Sequence, residues 1–122
     1  MEDTIITFET AKLAKKKGFN EICQYYYEIF DKPITLQRMP CSNSEGYEQP
    51  TAPTQSLLAK WLREEHNIYV TSQIGNLDFI NTYHYEIRYI DKNKFMCKVN
   101  GNFKTYEEAL EIGLQKALKY IS

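Results

Sequence analysis

The segment from Ala52 to Asn67 constrains the fold of this chain more than any other. Pro53 stops a helix from running in from upstream, because it lacks an N–H and disfavours helical geometry in the residue before it. Thr54 follows as an N-cap, with a hydroxyl able to accept a backbone N–H of the first turn. Leu57, Leu58, Trp61 and Leu62 then recur at helical spacing and form one apolar stripe. Lys60, Arg63 and Glu64 lie toward the other side, and Asn67 suits a left-handed stop. The stripe carries the only Trp of the chain. The remaining elements are therefore expected to pack on it, and Trp61 to be buried. The segment anchors structure and offers no chemistry of its own.

The flanking sequence fills in the other elements. Residues 7–18 predict a helix capped by Thr7, with Glu9 in its first turn, Lys15-Lys16-Lys17 in its last, and Gly18 just beyond it. Residues 21–30 alternate as a strand, as do residues 34–39, with a turn at Asp31-Lys32-Pro33 between them, so the two predict a hairpin. Residues 40–53 are rich in Ser, Asn, Gly and Pro and read as a surface loop or hinge. Beyond the Trp61 helix come strands at Ile68 to about Gln73, about Tyr83 to Ile90, and Phe95 to Val99. Turn signals stand at Gly75-Asn76, Asp91-Lys92-Asn93 and Asn100-Gly101, the last because both residues tolerate positive φ. Thr105 and Glu108 form a capping box ahead of a final helix whose apolar face includes the small residues Ala109, Gly113 and Ala117. A glycine inside a helix costs about 1 kcal/mol relative to alanine, so Gly113 predicts a close backbone contact. The order α-β-β-α-β-β-β-α defines an α+β fold, an antiparallel sheet with helices packed on one face.

Length and composition set the outer bounds. A chain of 122 residues, 43% apolar and 25% charged, predicts a single globular domain over residues 1–122. Within it, sub-units 1–39 and 54–122 would be joined by the loop 40–53. The net charge is −1, divided as −2 over residues 1–53 and +1 over residues 54–122, so neither half is a basic arm for nucleic acid. The acidic start (Glu2, Asp3) does not resemble a signal peptide, and no apolar run approaches a membrane span. The cysteines Cys23, Cys41 and Cys97 are odd in number and far apart, which fits free thiols in a reducing compartment; one disulfide plus a spare thiol is the alternative.

Three stretches together resemble a family of small uncharacterised proteins from phages and prophages of gut bacteria. They are Ala52 to Asn67, Phe8 to Phe19 (FETAKLAKKKGF) and Phe103 to Glu111 (FKTYEEALE). The resemblance spans nearly the whole chain. It implies a mobile-element origin and the cytoplasm of a bacterial host, and carries no activity with it. From Thr54 onward the order of helix, three strands and helix is similar to that of double-stranded-RNA-binding domains, with Ala109 where that family keeps an alanine at the start of its last helix. The family's phosphate-binding lysines flank that alanine. The matching positions here hold Tyr106, Glu107 and Leu110, and Glu107 with Glu108 puts negative charge where a phosphate would sit.

Catalytic chemistry is weakly signalled. Cys23, Cys41, Cys97, His66 and His84 are the soft ligands present, and none is paired at zinc-site spacing. Glu107 and Glu108 suit a helix N-terminus, and Glu64-Glu65 the polar edge of theirs, so neither pair needs a catalytic role. The five glycines are scattered and form no phosphate loop. No cofactor, metal or membrane partner is expected. The ten tyrosines are the most suggestive supply of contact surface. Tyr25, Tyr26 and Tyr27 put aromatics on both faces of one strand, and Tyr83, Tyr85 and Tyr89 line one face of another. Such residues can anchor a protein interface or stack bases, or they can form a half-buried sheet face under helices, since strands favour tyrosine anyway. The expectation is a non-enzymatic accessory protein that binds another protein, with self-association also open to it. A nucleic-acid-binding module built on residues 54–122 is the first alternative, and an enzyme assembled from scattered Cys, His and Glu residues the second.

Overall fold

The computed structural model describes residues 4–29, 33–43, 49–74, 82–91 and 94–121, with the backbone alone at 90, 91, 94–98 and 100. The turn signals at Asp31-Lys32, Gly75-Asn76 and Lys92-Asn93 lie outside the described residues. The elements are α1 (Phe8–Lys16), β1 (Cys23–Glu28), β2 (Thr35–Cys41), α2 (Gln55–His66), β3 (Ile68–Ile74), β4 (Tyr83–Asp91), β5 (Lys94–Phe103) and α3 (Tyr106–Leu118). This is the α+β order that the sequence predicts. The strands divide into two antiparallel sheets, β1-β2 and β3-β4-β5. The chain forms two compact units, Met1–Leu58 and Ala59–Ser122, and the division falls inside α2.

The first unit begins with α1. Thr7 caps it, its hydroxyl accepting the Thr10 N–H at 3.4 Å. Its C-terminus closes as a Schellman motif: Phe19 N–H reaches the Ala14 carbonyl at 3.0 Å and Gly18 N–H the Lys15 carbonyl at 3.2 Å. Gly18 sits at φ +97°, where a side chain would be strained. Phe19, fully buried, supplies the apolar contact that accompanies such a cap.

β1 is central in its sheet. On one side it pairs with β2 in the register Tyr25↔Arg38, Tyr26↔Gln37, Tyr27↔Leu36, Glu28↔Thr35. A bulge then intervenes before Cys23↔Cys41. One residue separates Cys23 from Tyr25 while two, Met39 and Pro40, separate Arg38 from Cys41, so the extra residue lies in the Met39-Pro40 stretch of β2. A proline has no N–H to give the ladder and is tolerated at a bulge. On its other side β1 meets residues 50–52: Tyr27 N–H donates to the Pro50 carbonyl at 3.0 Å and Ala52 N–H to the Tyr25 carbonyl at 2.8 Å. The segment expected to be loop thus returns to close one edge of β1. Asn43 pins it from outside, its Oδ1 accepting the Thr51 N–H at 3.1 Å while its Nδ2 donates to the Phe19 carbonyl at 2.8 Å. Further backbone bonds, Ile6 N–H to Pro53 O at 3.0 Å and Gln55 N–H to Thr4 O at 2.7 Å, tie the N-terminal segment to the start of α2. Thr54 caps α2 as expected, accepting the Leu57 N–H at 3.1 Å.

The second unit packs α3 on the β3-β4-β5 sheet. Asn67, at φ 56°, ends α2 in the left-handed conformation that its side chain tolerates. β3 follows at once and alternates cleanly: Ile68, Val70 and Ser72 are buried, Tyr69, Thr71 and Gln73 exposed. Tyr85 and Ile87 of β4 are buried on the same side, in register with Ser72 and Val70. Against them lies the small-residue face of α3, in which Ala109, Gly113, Leu114, Ala117 and Leu118 are all buried. A Cβ on Gly113 would stand 2.9 Å from Tyr85 Cβ and 3.0 Å from Val70 Cγ1, so the close approach expected at this glycine is present. Thr105 caps α3 by accepting the Glu108 N–H at 3.0 Å. Trp61 is 7% exposed and packs edge-on against His66 at 4.7 Å between ring centroids.

One turn signal is overturned. Asn100-Gly101 does not end a strand, because β5 runs through both residues to Phe103. The register passes from Tyr85↔Asn100 to Tyr83↔Phe103, which leaves Gly101 and Asn102 opposite His84 alone. Asn102 takes the positive φ of 78°. The positive φ thus falls on Asn102 and not on Gly101, and it serves a bulge, which adds local twist without reversing the chain.

Candidate functional site

The tyrosines expected to form a contact surface are largely committed to packing. Tyr85 is 4% exposed, beneath α3 and against Phe103, so it is a core residue and no part of a surface. Burial of one face under α3 explains this, since an inward position on a half-buried strand accommodates tyrosine as well as valine. Tyr83 and Tyr89, half-buried, each meet an aromatic ring at one end of α3, Tyr83 at its start and Tyr89 just past its last residue. Tyr83 is edge-on to Tyr106 at 6.5 Å, and Tyr89 is stacked with Tyr120 at 6.3 Å. Tyr27 packs edge-on against Phe8 at 5.6 Å and donates its hydroxyl to the Ile6 carbonyl at 2.6 Å. Tyr25 and Tyr26 are half-buried on β1.

The exposed apolar surface lies elsewhere, on β2. Every residue from Pro33 to Pro40 is exposed. Among them Ile34, Leu36 and Met39 present 44%, 41% and 47% of their surface to solvent, and nearby Ile22 presents 70%. Ile34, Leu36 and Arg38 share one side of the strand by alternation, and Thr35 and Gln37 share the other, where Gln37 Nε2 donates to Thr35 Oγ1 at 3.0 Å. Arg38 has no ion-pair partner among the described residues. No described strand lies beyond β2, so among the described residues its outer edge carries backbone donors and acceptors without partners. Pro33 and Pro40 bracket this edge, which limits a further ladder to residues 34–39. The sequence does signal such an edge, in the alternation of Ile34 and Leu36 with polar residues between two prolines.

A cavity of about 200 Å³ opens beside the same strand, lined by Tyr26, Met39, Cys41, Ser42, Gln49 and Thr51. Its described lining holds no His, Asp or Glu. Thr51 is 2% exposed, and its Oγ1 is buried without a hydrogen-bond partner among the described residues. Cys23 and Cys41 are buried free thiols. Burial pushes the Cys23 thiol up to about 11; the neighbouring Cys41 and Glu21 add to the rise, and a Thr51 hydroxyl able to donate to a thiolate opposes it. The backbone of Cys97 lies opposite Arg88 in the other unit. His66 rests on Trp61, and the Cβ of His84 lies against Gly101. No group of three or more His, Cys, Asp or Glu among the described residues is arranged to hold a metal ion. No described helix is long and apolar enough to cross a membrane.

Comparison with protein-family profiles, with characterised proteins and with solved structures finds no significant match for this chain.

Proposed function

We propose that this protein is a binding module that captures an extended segment of another protein by strand addition at the outer edge of β2. The observation that carries this reading is the edge itself: six residues between two prolines, with exposed Ile34, Leu36 and Met39 and an Arg38 that has no ion-pair partner among the described residues. A docking strand gains main-chain hydrogen bonds along such an edge, and its alternate side chains select the sequence. Leu36 and Ile34 call for apolar residues in the partner, and Arg38 for a carboxylate beside them. Self-pairing of β2 offers Arg38 no carboxylate, because residues 34–39 contain none. A partner of different sequence therefore fits better than a second copy. The resemblance to mobile-element proteins agrees with an accessory role of this kind.

The test compares wild type with Leu36→Asp and Arg38→Pro, the second removing an N–H that faces away from β1 because Tyr25, its partner, bonds residue 52 instead; both are confirmed as folded by circular dichroism. A partner recovered from bacterial host cells should bind wild type and lose at least tenfold in affinity with either variant. Bound wild type should show slowed amide exchange confined to residues 34–39. Equal binding by all three proteins, or protection elsewhere, would refute the edge. A concentration-dependent dimer that the variants abolish would identify a second copy as the occupant and overturn the heterologous reading.

A further inference from the structure

We propose that Cys23 and Cys41 are a redox-responsive dithiol that a hydroperoxide converts to a cross-strand disulfide within the first unit. The two residues are direct partners in the β1-β2 register. Opposed residues of an antiparallel pair hold their Cα atoms about 4.5–5.5 Å apart, inside the window of about 4.4–6.8 Å that a disulfide spans. Both thiols are held at β1. Cys23 Sγ donates to the Glu21 carbonyl at 3.5 Å, and Cys41 Sγ reaches across the ladder to the Tyr25 carbonyl at 3.8 Å. The acceptors lie two residues to either side of Cys23, so the sulfur of Cys41 already projects onto its partner strand.

Access is asymmetric. Cys41 lines the cavity with Met39, Ser42 and Thr51, while Cys23 does not. A cavity of about 200 Å³ admits a molecule as small as hydrogen peroxide. The Cys41 sulfur attacks one peroxide oxygen and the O–O bond breaks. The departing hydroxide takes the thiol proton as water and leaves a sulfenic acid. The Cys23 sulfur then attacks Cys41 Sγ and displaces its hydroxyl, which leaves as a second water with the Cys23 proton. Two thiols lose two electrons and one peroxide becomes two waters. The unpartnered Thr51 hydroxyl is placed to donate to the Cys23 thiolate as it forms.

The raised pKa of Cys23 gives the pair its character. A dithiol whose thiolates are not stabilised has a disulfide that resists reduction, the reverse of an oxidising catalyst. The same shift slows the closing step at neutral pH, because the thiolate is the nucleophile.

The experiment treats the full chain, as wild type and as Cys97→Ser, with hydrogen peroxide. Free thiols are then counted with a maleimide in denaturant, and non-reducing digests are mapped by mass spectrometry. The expected result is the loss of both labels in Cys97→Ser, one intramolecular peptide joining Cys23 to Cys41 in both proteins, and recovery of the labels with dithiothreitol. A dione should trap sulfenic acid on Cys41 at neutral pH, and the trapped fraction should shrink as the pH rises toward the pKa of Cys23. Cys23→Ser should instead carry Cys41 on to the sulfinic acid. A bond through Cys97, a link between two chains, or sulfinic acid at Cys41 in wild type with Cys23 still reduced would overturn the proposal.

Discussion

Gly113 of α3 lies so near Tyr85 of β4 that a methyl group on the glycine would stand 2.9 Å from the tyrosine Cβ. Helix propensity and packing therefore oppose each other at this position. Alanine would gain about 1 kcal/mol as a helix former, while overpacking against two strands costs about 1–3 kcal/mol. Val70 Cγ1 at 3.0 Å and Tyr85 Cγ at 3.1 Å close the other escape routes, so packing should win. Gly113→Ala is expected to lower stability by about 1 kcal/mol in urea denaturation. An increase would show that α3 can slide outward at little cost.

Trp61 is the largest side chain of its helix stripe and is 7% exposed. Trp61→Ala should cost about 3–5 kcal/mol, a large part of the total stability of a domain this size. Thermal melting by circular dichroism measures it. A variant that melts within a few degrees of wild type would end the anchor role of α2.

Cys23 links stability to alkaline pH. Its folded thiol is raised to about 11 from an ordinary value of 9.0. Above the ordinary value the unfolded chain has released this proton while the folded chain keeps it. By linkage, stability falls with rising pH. The contribution is fully present below pH 9 and is lost as pH rises from there through about 11. Lysines and tyrosines titrate in the same window, so the measurement is a comparison. Reduced wild type should lose more stability between these limits than Cys23→Ala does, and parallel curves would contradict the assignment.

Duplex RNA should not bind appreciably, although residues 54–122 run in the order of a double-stranded-RNA-binding domain. Leu110, at a position where that family places a phosphate contact, is buried at 7% exposure. Glu107 and Glu108 occupy the first turn of α3, with Lys116 in its last turn. Lys104, exposed, is the cation nearest in sequence to that N-terminus. Titration of labelled duplex RNA at low and at physiological salt measures this. Micromolar binding that weakens steeply with salt would refute it. If such binding appeared, Glu107→Lys should strengthen it.

Local chemistry was the most legible part of the sequence. Thr7, Thr54 and Thr105 cap their helices, and Gly18 and Asn67 end theirs in the left-handed region, because each such device depends on residues within one turn of itself. The close approach at Gly113 was legible because a glycine in a strong helix pattern needs a reason. What could not be read was pairing. That the strands split into two sheets, that residues 50–52 close β1, and that a bulge at Gly101-Asn102 replaces a turn all depend on partners distant in sequence. The candidate surface suffered for the same reason. Tyr85 and Tyr25 look alike in an alternating strand, and only the placement of α3 makes one of them core.

The strand-like segment 50–52 has a further consequence for how this sheet can associate. Backbone bonds join it to β1, and Asn43 occupies its outward N–H at Thr51. Among the described residues, growth of the β1-β2 sheet is therefore open in one direction alone. In polymer terms the unit has a valence of one. A strand arriving at β2 terminates the ladder and offers no second face of this sheet to the next molecule. Were a strand captured through this edge, this sheet would contribute one edge to the complex, where a sheet open on both sides could seed a fibre.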